Sequence, residues 1–183
     1  MGKGDEDMLI NNVHVDRLQR SIAEMKADPS KAKRITQITG HWNLEAGKPQ
    51  FLGRMRFESG EVKVEADQPS ALGGGGMLPG PLHYCIYGMV ACYTGIFASM
   101  AAMMGVTLKK LEVVAEGHFN FSRVFGLSQE PALEQVRIEM TVEADTDRAR
   151  IDEIEALARE RCPAVYVLSN PVPLAVEVRL NQN

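Results

Sequence analysis

No Asp, Glu, Lys or Arg occurs between Asp67 and Lys109, the longest charge-free stretch in the chain. Cysteine is scarce: three residues, with no CxxC, which excludes a zinc ribbon and a thioredoxin motif. Four consecutive glycines, residues 73–76, precede an apolar run, yet neither GK[ST] nor GxGxxG accompanies them. They read as a hinge that lets backbone pass close to another element, not as a phosphate cradle. A net charge of −4 provides no basic field for a phosphate backbone, so nucleic acid is not an expected partner. The start, MGKGDEDMLINN, lacks the basic and apolar sequence of a signal peptide. Cytoplasmic residence is therefore expected, and there a cysteine pair is catalytic or redox-active more often than a structural staple. There is no internal repeat. With 183 residues, 45% of them hydrophobic, the chain is expected to form one domain over residues 1–183.

What fills the charge-free region is LPGPLHYCIYGMVACYTGIFASMAAMMGV, residues 78–106. Pro81 suits the first turn of a helix and Gly105 the position just past its end. A helix apolar on every side belongs in a protein interior or a bilayer. Gly88, Thr94, Gly95 and Ser99 dilute this one and no Lys/Arg cluster flanks it, so it reads as a buried central helix with no membrane insertion.

Before it, Val15, Leu18, Ile22 and Met25 recur at helical spacing and Asp28-Pro29 closes the segment, giving an N-terminal helical extension over residues 1–30. Residues 33–42 and 51–57 read as strands, and residues 61–66 as the return of a hairpin turned at Ser59-Gly60. In the middle strand Arg54 and Arg56 share one side, so both guanidinium groups face the same way. After the central helix, residues 111–121 and 136–142 alternate apolar and polar as antiparallel partners. Asp145-Thr146-Asp147 caps a helix with the stripe Ile151, Ile154, Leu157 and Ala158, which Cys162 continues inward. Cys162-Pro163 starts a short further turn, and Val172, Leu174, Val176, Val178 and Leu180 alternate as a final strand. Helices at the start, middle and near the end, with antiparallel strands between, give an α+β order.

Cys85 and Cys92 lie seven residues apart, about 10 Å along a helix axis, too far for a disulfide. A free cysteine in an apolar helix is commonly a small buried hydrophobe with a raised pKa. A reactive one requires a nearby cation or donor, and the helix provides none. Arg54 and Arg56 are candidates for that cation; an arginine pair on a strand is also what a solvated face looks like. As metal ligands, His83, Cys85 and Cys92 would be spread over too many helix faces, so no metal is expected.

Several pieces together resemble the OsmC/Ohr family: Asp67-Gln68-Pro69 with Gly73-Gly74, Pro81 with the helix reaching Ala91-Cys92, and Arg161-Cys162-Pro163. The N-terminal helix with Asp28-Pro29, Gly126-Leu127-Ser128, and the tail Ser169-Asn170-Pro171-Val172-Pro173 are similar to the branch of OsmC-like proteins with an N-terminal helical extension. The resemblance implies an α+β OsmC-like fold, with antiparallel sheets wrapped around a long buried central helix and two chains interleaved in one homodimer. It implies thiol-dependent reduction of alkyl or fatty-acid hydroperoxides in oxidative-stress defence, with Cys92 peroxidatic and Cys162 resolving, and Cys85 left as packing. The expected partners are a small-molecule hydroperoxide and an external dithiol reductant, a lipoyl or thioredoxin-like protein; no cofactor is called for. Met89, Tyr93 and Ile96 would form apolar walls around Cys92.

The chain departs from the family at one point. The peroxidase branch carries an acidic residue nine or ten positions before the reactive cysteine, which orients an arginine onto the thiolate; here those positions are His83 and Leu82. A histidine does not hold an arginine as a carboxylate does. His83 itself becomes a candidate donor if the helix bends near residues 80–84. The competing reading is a non-catalytic dimer that binds a lipophilic small molecule in its interface cleft.

Overall fold

The computed structural model describes residues 8–180; the polar start over residues 1–7 lies outside them. A short hairpin, β1 (Leu9–Ile10) and β2 (Val13–His14), leads into α1 (Val15–Ala27). Asp28 follows α1 as expected, its carboxylate accepting from the Ser30 N–H to start a single 3-10 turn. Three antiparallel strands come next, β3 (Ile38–Trp42), β4 (Phe51–Phe57) and β5 (Gly60–Ala66), with β4 in the middle. β3 is shorter than its β-branched residues suggest, because residues 33–37 pair with nothing in this sheet. The central helix α2 runs unbroken over Pro81–Met103, with Pro81 in its first turn. Gly105 ends it at a φ of 73°, a conformation that costs glycine nothing.

Beyond α2, β6 (Leu108–Phe119) and β7 (Leu133–Ala144) form a long antiparallel hairpin. Then α3 (Arg148–Arg161) begins at Asp147, whose carboxylate accepts from the Arg150 N–H, and α4 (Pro163–Ser169) begins at Cys162-Pro163. The fold class is α+β, as the order of elements predicts.

The core is built where α2 packs on α3, α4 and β6: Tyr93, Phe97, Ala101 and Val106 meet Ile154, Ala158 and Cys162. Ala101 and Ala158, both fully buried, let the two helix backbones approach closely. Two expectations change within a single chain. Only Tyr93, Phe97, Ala101 and Ala102 of α2 are buried, while Tyr87 is 73% exposed, so the chain's own sheets leave the central helix partly uncovered. The alternating tail, residues 172–180, forms no strand; it runs on after α4 as exposed, unpaired chain. Alternation gives a segment two faces, but a strand also needs a hydrogen-bonding neighbour, and none lies beside it here.

The loop between β5 and α2 positions the start of the central helix. Asp67 is buried and its carboxylate accepts from the Met77 N–H across the glycines. A Cβ at Gly74 would lie 1.8 Å from the Gln68 carbonyl oxygen, so this turn admits no side chain. The close approach expected of the glycines is thus met at Gly74.

Candidate functional site

Cys92 and Cys162 meet. Cys92 sits in the middle of α2, and Cys162 closes α3, its N–H bonded to the Ala158 carbonyl while its backbone opens α4. The Cys162 thiol points at the Cys92 sulfur with 3.7 Å between the two atoms. Cys162 is 1% exposed and Cys92 is half-buried, so a reactant reaches the pair from the Cys92 side. A disulfide needs the sulfurs at about 2.05 Å, so the pair stands in contact but unbonded.

The electrostatics at Cys92 are those of an apolar site. Burial pushes its thiol above the ordinary range; the Ala164 amide at the start of α4 pulls the other way, and the neighbouring Cys162 sulfur pushes further up, since two thiolates so close repel. Among the described residues no cation acts on that thiol. Arg54 and Arg56 do face the same way, as strand alternation requires, but they converge on Glu61 across the β4–β5 hairpin, at 3.2 and 3.3 Å. Arg54 first, then Arg56, holds the Glu61 carboxyl below its usual range. Their sheet makes its main contacts among its own strands. The expectation that either arginine activates Cys92 is thus not met within one chain: the cross-strand carboxylate is nearer than the helix.

His83 is not brought to the pair either. It is exposed in the first turn of α2 and, because the helix is continuous, lies about 13 Å along the axis and on the opposite side from Cys92. No bend over residues 80–84 carries it round. Cys85 is exposed and pairs with neither other cysteine. Among the described residues no cluster of His, Cys, Asp and Glu is suited to a metal ion.

One cluster beside the cysteines escapes a reading of the sequence. Tyr93, next to Cys92, turns toward α3, and its hydroxyl donates to Glu155 Oε1 at 2.8 Å. Arg159 donates to the same oxygen from Nε and Nη2, at 2.9 and 2.5 Å. Burial, and then the bond to Glu155, pushes the Tyr93 phenol up to about 12. Burial works against the charge of Glu155, but the donors from Arg159 and Tyr93 hold its carboxyl below the usual range. The i,i+4 spacing of Glu155 and Arg159 is visible in the sequence and ordinary on a helix; nothing there tells that a tyrosine from 62 positions earlier joins them.

Chemically, the site offers two sulfurs in contact in apolar surroundings. Comparison with known proteins bears on the family and the fold. A family profile described as OsmC-like protein matches residues 73–177. No curated protein matches the sequence. Among solved structures, an OsmC-like protein from Mycoplasma pneumoniae superposes with a TM-score of 0.53 at 19% identity, over 75% of this chain and 89% of that one. A Legionella pneumophila structure described as an organic hydroperoxide resistance protein OsmC and predicted redox protein gives 0.51 at 18% identity, over 74% and 89%. An OsmC-like protein of unknown function from Vibrio cholerae gives 0.53 at 12% identity, over 74% and 94%. At these identities the likeness is one of fold.

Proposed function

Since this chain belongs to the OsmC-like family, we propose that it reduces organic hydroperoxides with Cys92 as the attacking thiol and Cys162 as the resolving one. The observation that carries the reading is the 3.7 Å contact between two sulfurs seventy residues apart in sequence. Two of the three cysteines meet in the core of a fold whose named neighbours include an organic hydroperoxide resistance protein.

The Cys92 thiolate attacks one peroxide oxygen; the O–O bond breaks, the alkoxide takes a proton and leaves as alcohol, and Cys92 becomes a sulfenic acid. Cys162 then attacks the Cys92 sulfur, its thiol proton leaves with the hydroxyl as water, and a disulfide joins the two residues. An external dithiol takes over the disulfide and restores both thiols. The half-buried, apolar setting of Cys92 favours an alkyl or fatty-acid hydroperoxide over a small polar one.

The working unit in this reading is a homodimer. A second copy would cover the open side of α2 around Tyr87 and bring a cation to Cys92, Arg54 or Arg56 among the candidates. It would also accept the tail. A groove of about 1210 Å³ follows the edge of β7 that β6 leaves free, lined by nearly consecutive residues from Leu133 to Val142 and roofed by Ile151 and Glu155 of α3. Side chains of successive strand residues point to opposite faces, so a groove touched by all of them follows the strand's edge. Residues 172–180 alternate, lie unpaired, and leave α4 through Pro171 and Pro173, which oppose a fold-back onto their own sheet. Crossing to a second copy's β7 is the outlet this arrangement leaves.

Titration of the fully reduced chain with cumene or linoleate hydroperoxide tests the function. One equivalent of peroxide is expected to consume two thiols and to leave a Cys92–Cys162 disulfide identified by mass spectrometry. An unchanged thiol count ends the peroxidase reading. One observation favours the other function: among the described residues no cation acts on Cys92. If the dimer brings none, the protein binds a lipophilic molecule without turning it over, and native mass spectrometry would find a ligand that Cys92→Ser retains.

A further inference from the structure

The sulfurs of Cys92 and Cys162 stay in contact only if α2 and α3 hold their mutual position at the level of the pair, and that level is the end of α3. Helix ends fray, and Cys162 lies past the last helical residue, Arg161. The apolar contact of Ala101 and Phe97 with Ile154 and Ala158 fixes the helices further back. Close to the sulfurs the tie is polar. Tyr93, the residue after Cys92, bonds Glu155, which is two turns before Cys162 and on the same face of α3. Arg159, one turn beyond Glu155 and three residues before Cys162, holds the same oxygen with two nitrogens. Glu155 Oε1 therefore takes three donors, one from α2 and two from the last turn of α3.

We propose that Tyr93 and Glu155 are positioning residues for the cysteine pair: the Tyr93–Glu155 bond, held in place by Arg159, sets how closely the Cys162 sulfur approaches Cys92 and so governs disulfide closure between them. This rests on Cys92 and Cys162 being the working pair, and adds the residues that determine how fast and how completely the pair closes. In the closing step Glu155 and Tyr93 exchange no proton or electron with either sulfur. They hold the attacking Cys162 thiol beside Cys92 while the S–S bond forms and water leaves. Tyr93→Phe keeps the ring in the core and removes only the hydroxyl; Glu155→Gln keeps the shape and removes the charge that Arg159 grips.

The test uses the full chain and needs no peroxide. The unaltered protein, Tyr93→Phe and Glu155→Gln are equilibrated in mixtures of reduced and oxidised dithiothreitol, and the Cys92–Cys162 disulfide is counted by alkylation and mass spectrometry. Both variants are expected to lower the equilibrium constant for closure about tenfold, equal to a reduction potential about 30 mV less negative for this two-electron couple. After peroxide addition, the fraction of Cys92 sulfenic acid trapped by dimedone is expected to rise in both, because resolution slows. Ile154→Val is the control for loss of stability alone: it thins the packing without touching the polar tie and should leave the potential where it was. The proposal is overturned if Tyr93→Phe and Glu155→Gln keep the unaltered potential, if Ile154→Val moves it as far as they do, or if the unaltered chain forms no such disulfide. A chain that peroxide leaves unchanged, but whose variants shift the dithiothreitol equilibrium as stated, ends the peroxidase reading and leaves the positioning role standing.

Discussion

A thiol in apolar surroundings reacts only as fast as it ionises, and burial holds the Cys92 proton above the ordinary thiol range. In one chain, alkylation of Cys92 by iodoacetamide is therefore expected to accelerate steeply with pH across the alkaline range and to show no plateau near neutrality. A plateau at or below pH 7 would mean that a cation reaches the sulfur. Tyr93 gives a stability prediction with a definite sign. Its folded pKa of about 12 lies above the unfolded phenol near 10, so the folded state holds this proton more tightly. The stabilisation is complete below about pH 10 and is lost as pH rises from about 10 to about 12. Urea unfolding over that range should show the fall, on the order of 2 kcal/mol, and Tyr93→Phe should remove it. At this scale the identity of the cysteines was legible. The role of Tyr93 was not: an aromatic residue on an apolar helix reads as core or pocket wall, and its polar partner stands on another helix.

Among the elements, the α2–α3 contact is the one on which the site depends. Ala158 is fully buried against Phe97 and Ala101, and its methyl sets how near the two helices lie. Ala158→Leu overpacks that contact, at a cost of about 1–3 kcal/mol, and is expected to part the sulfurs so that disulfide formation slows more than stability alone accounts for. Ile154→Ala opens a cavity instead and should cost about 2–5 kcal/mol in chemical denaturation. Most elements could be read in advance because local rules set them. Pro81 and Gly105 bound α2, Asp147 caps α3, and Cys162-Pro163 starts α4. The tail over residues 172–180 could not, because its alternation needs a neighbouring edge that the same chain does not put beside it.

For the whole molecule, a single chain leaves Tyr87 on α2, Leu174 and Val178 on the tail, and Trp42 and Phe57 on the β3–β5 sheet in water, a distribution that suits the proposed dimer. Light scattering is expected to give a dimer, and deletion of residues 172–180 to weaken it. Cys85, exposed near the start of α2, should label rapidly in dilute protein and slowly as concentration rises if the dimer covers that end of the helix. Equal labelling at all concentrations would place the interface elsewhere. In such a dimer the cation missing from Cys92 would arrive from across the interface, and the steep alkaline dependence expected for one chain would flatten as the dimer forms.

Which two cysteines to watch came from the resemblance to the OsmC/Ohr family; taken alone, the sequence determined the helices and their ends, the alternation of the strands and the apolar character of the central helix. Each of these is set by neighbours a few positions away, through capping, periodicity and the geometry of proline and glycine. The tertiary structure alone decided that Cys92 and Cys162 touch, that Arg54 and Arg56 spend their charge on Glu61, and that Tyr93 grips Glu155. Those outcomes depend on distances between residues far apart in the chain. No local rule fixes such distances; they come from how closely small buried side chains let two helices pack, and from which charged partner lies within reach.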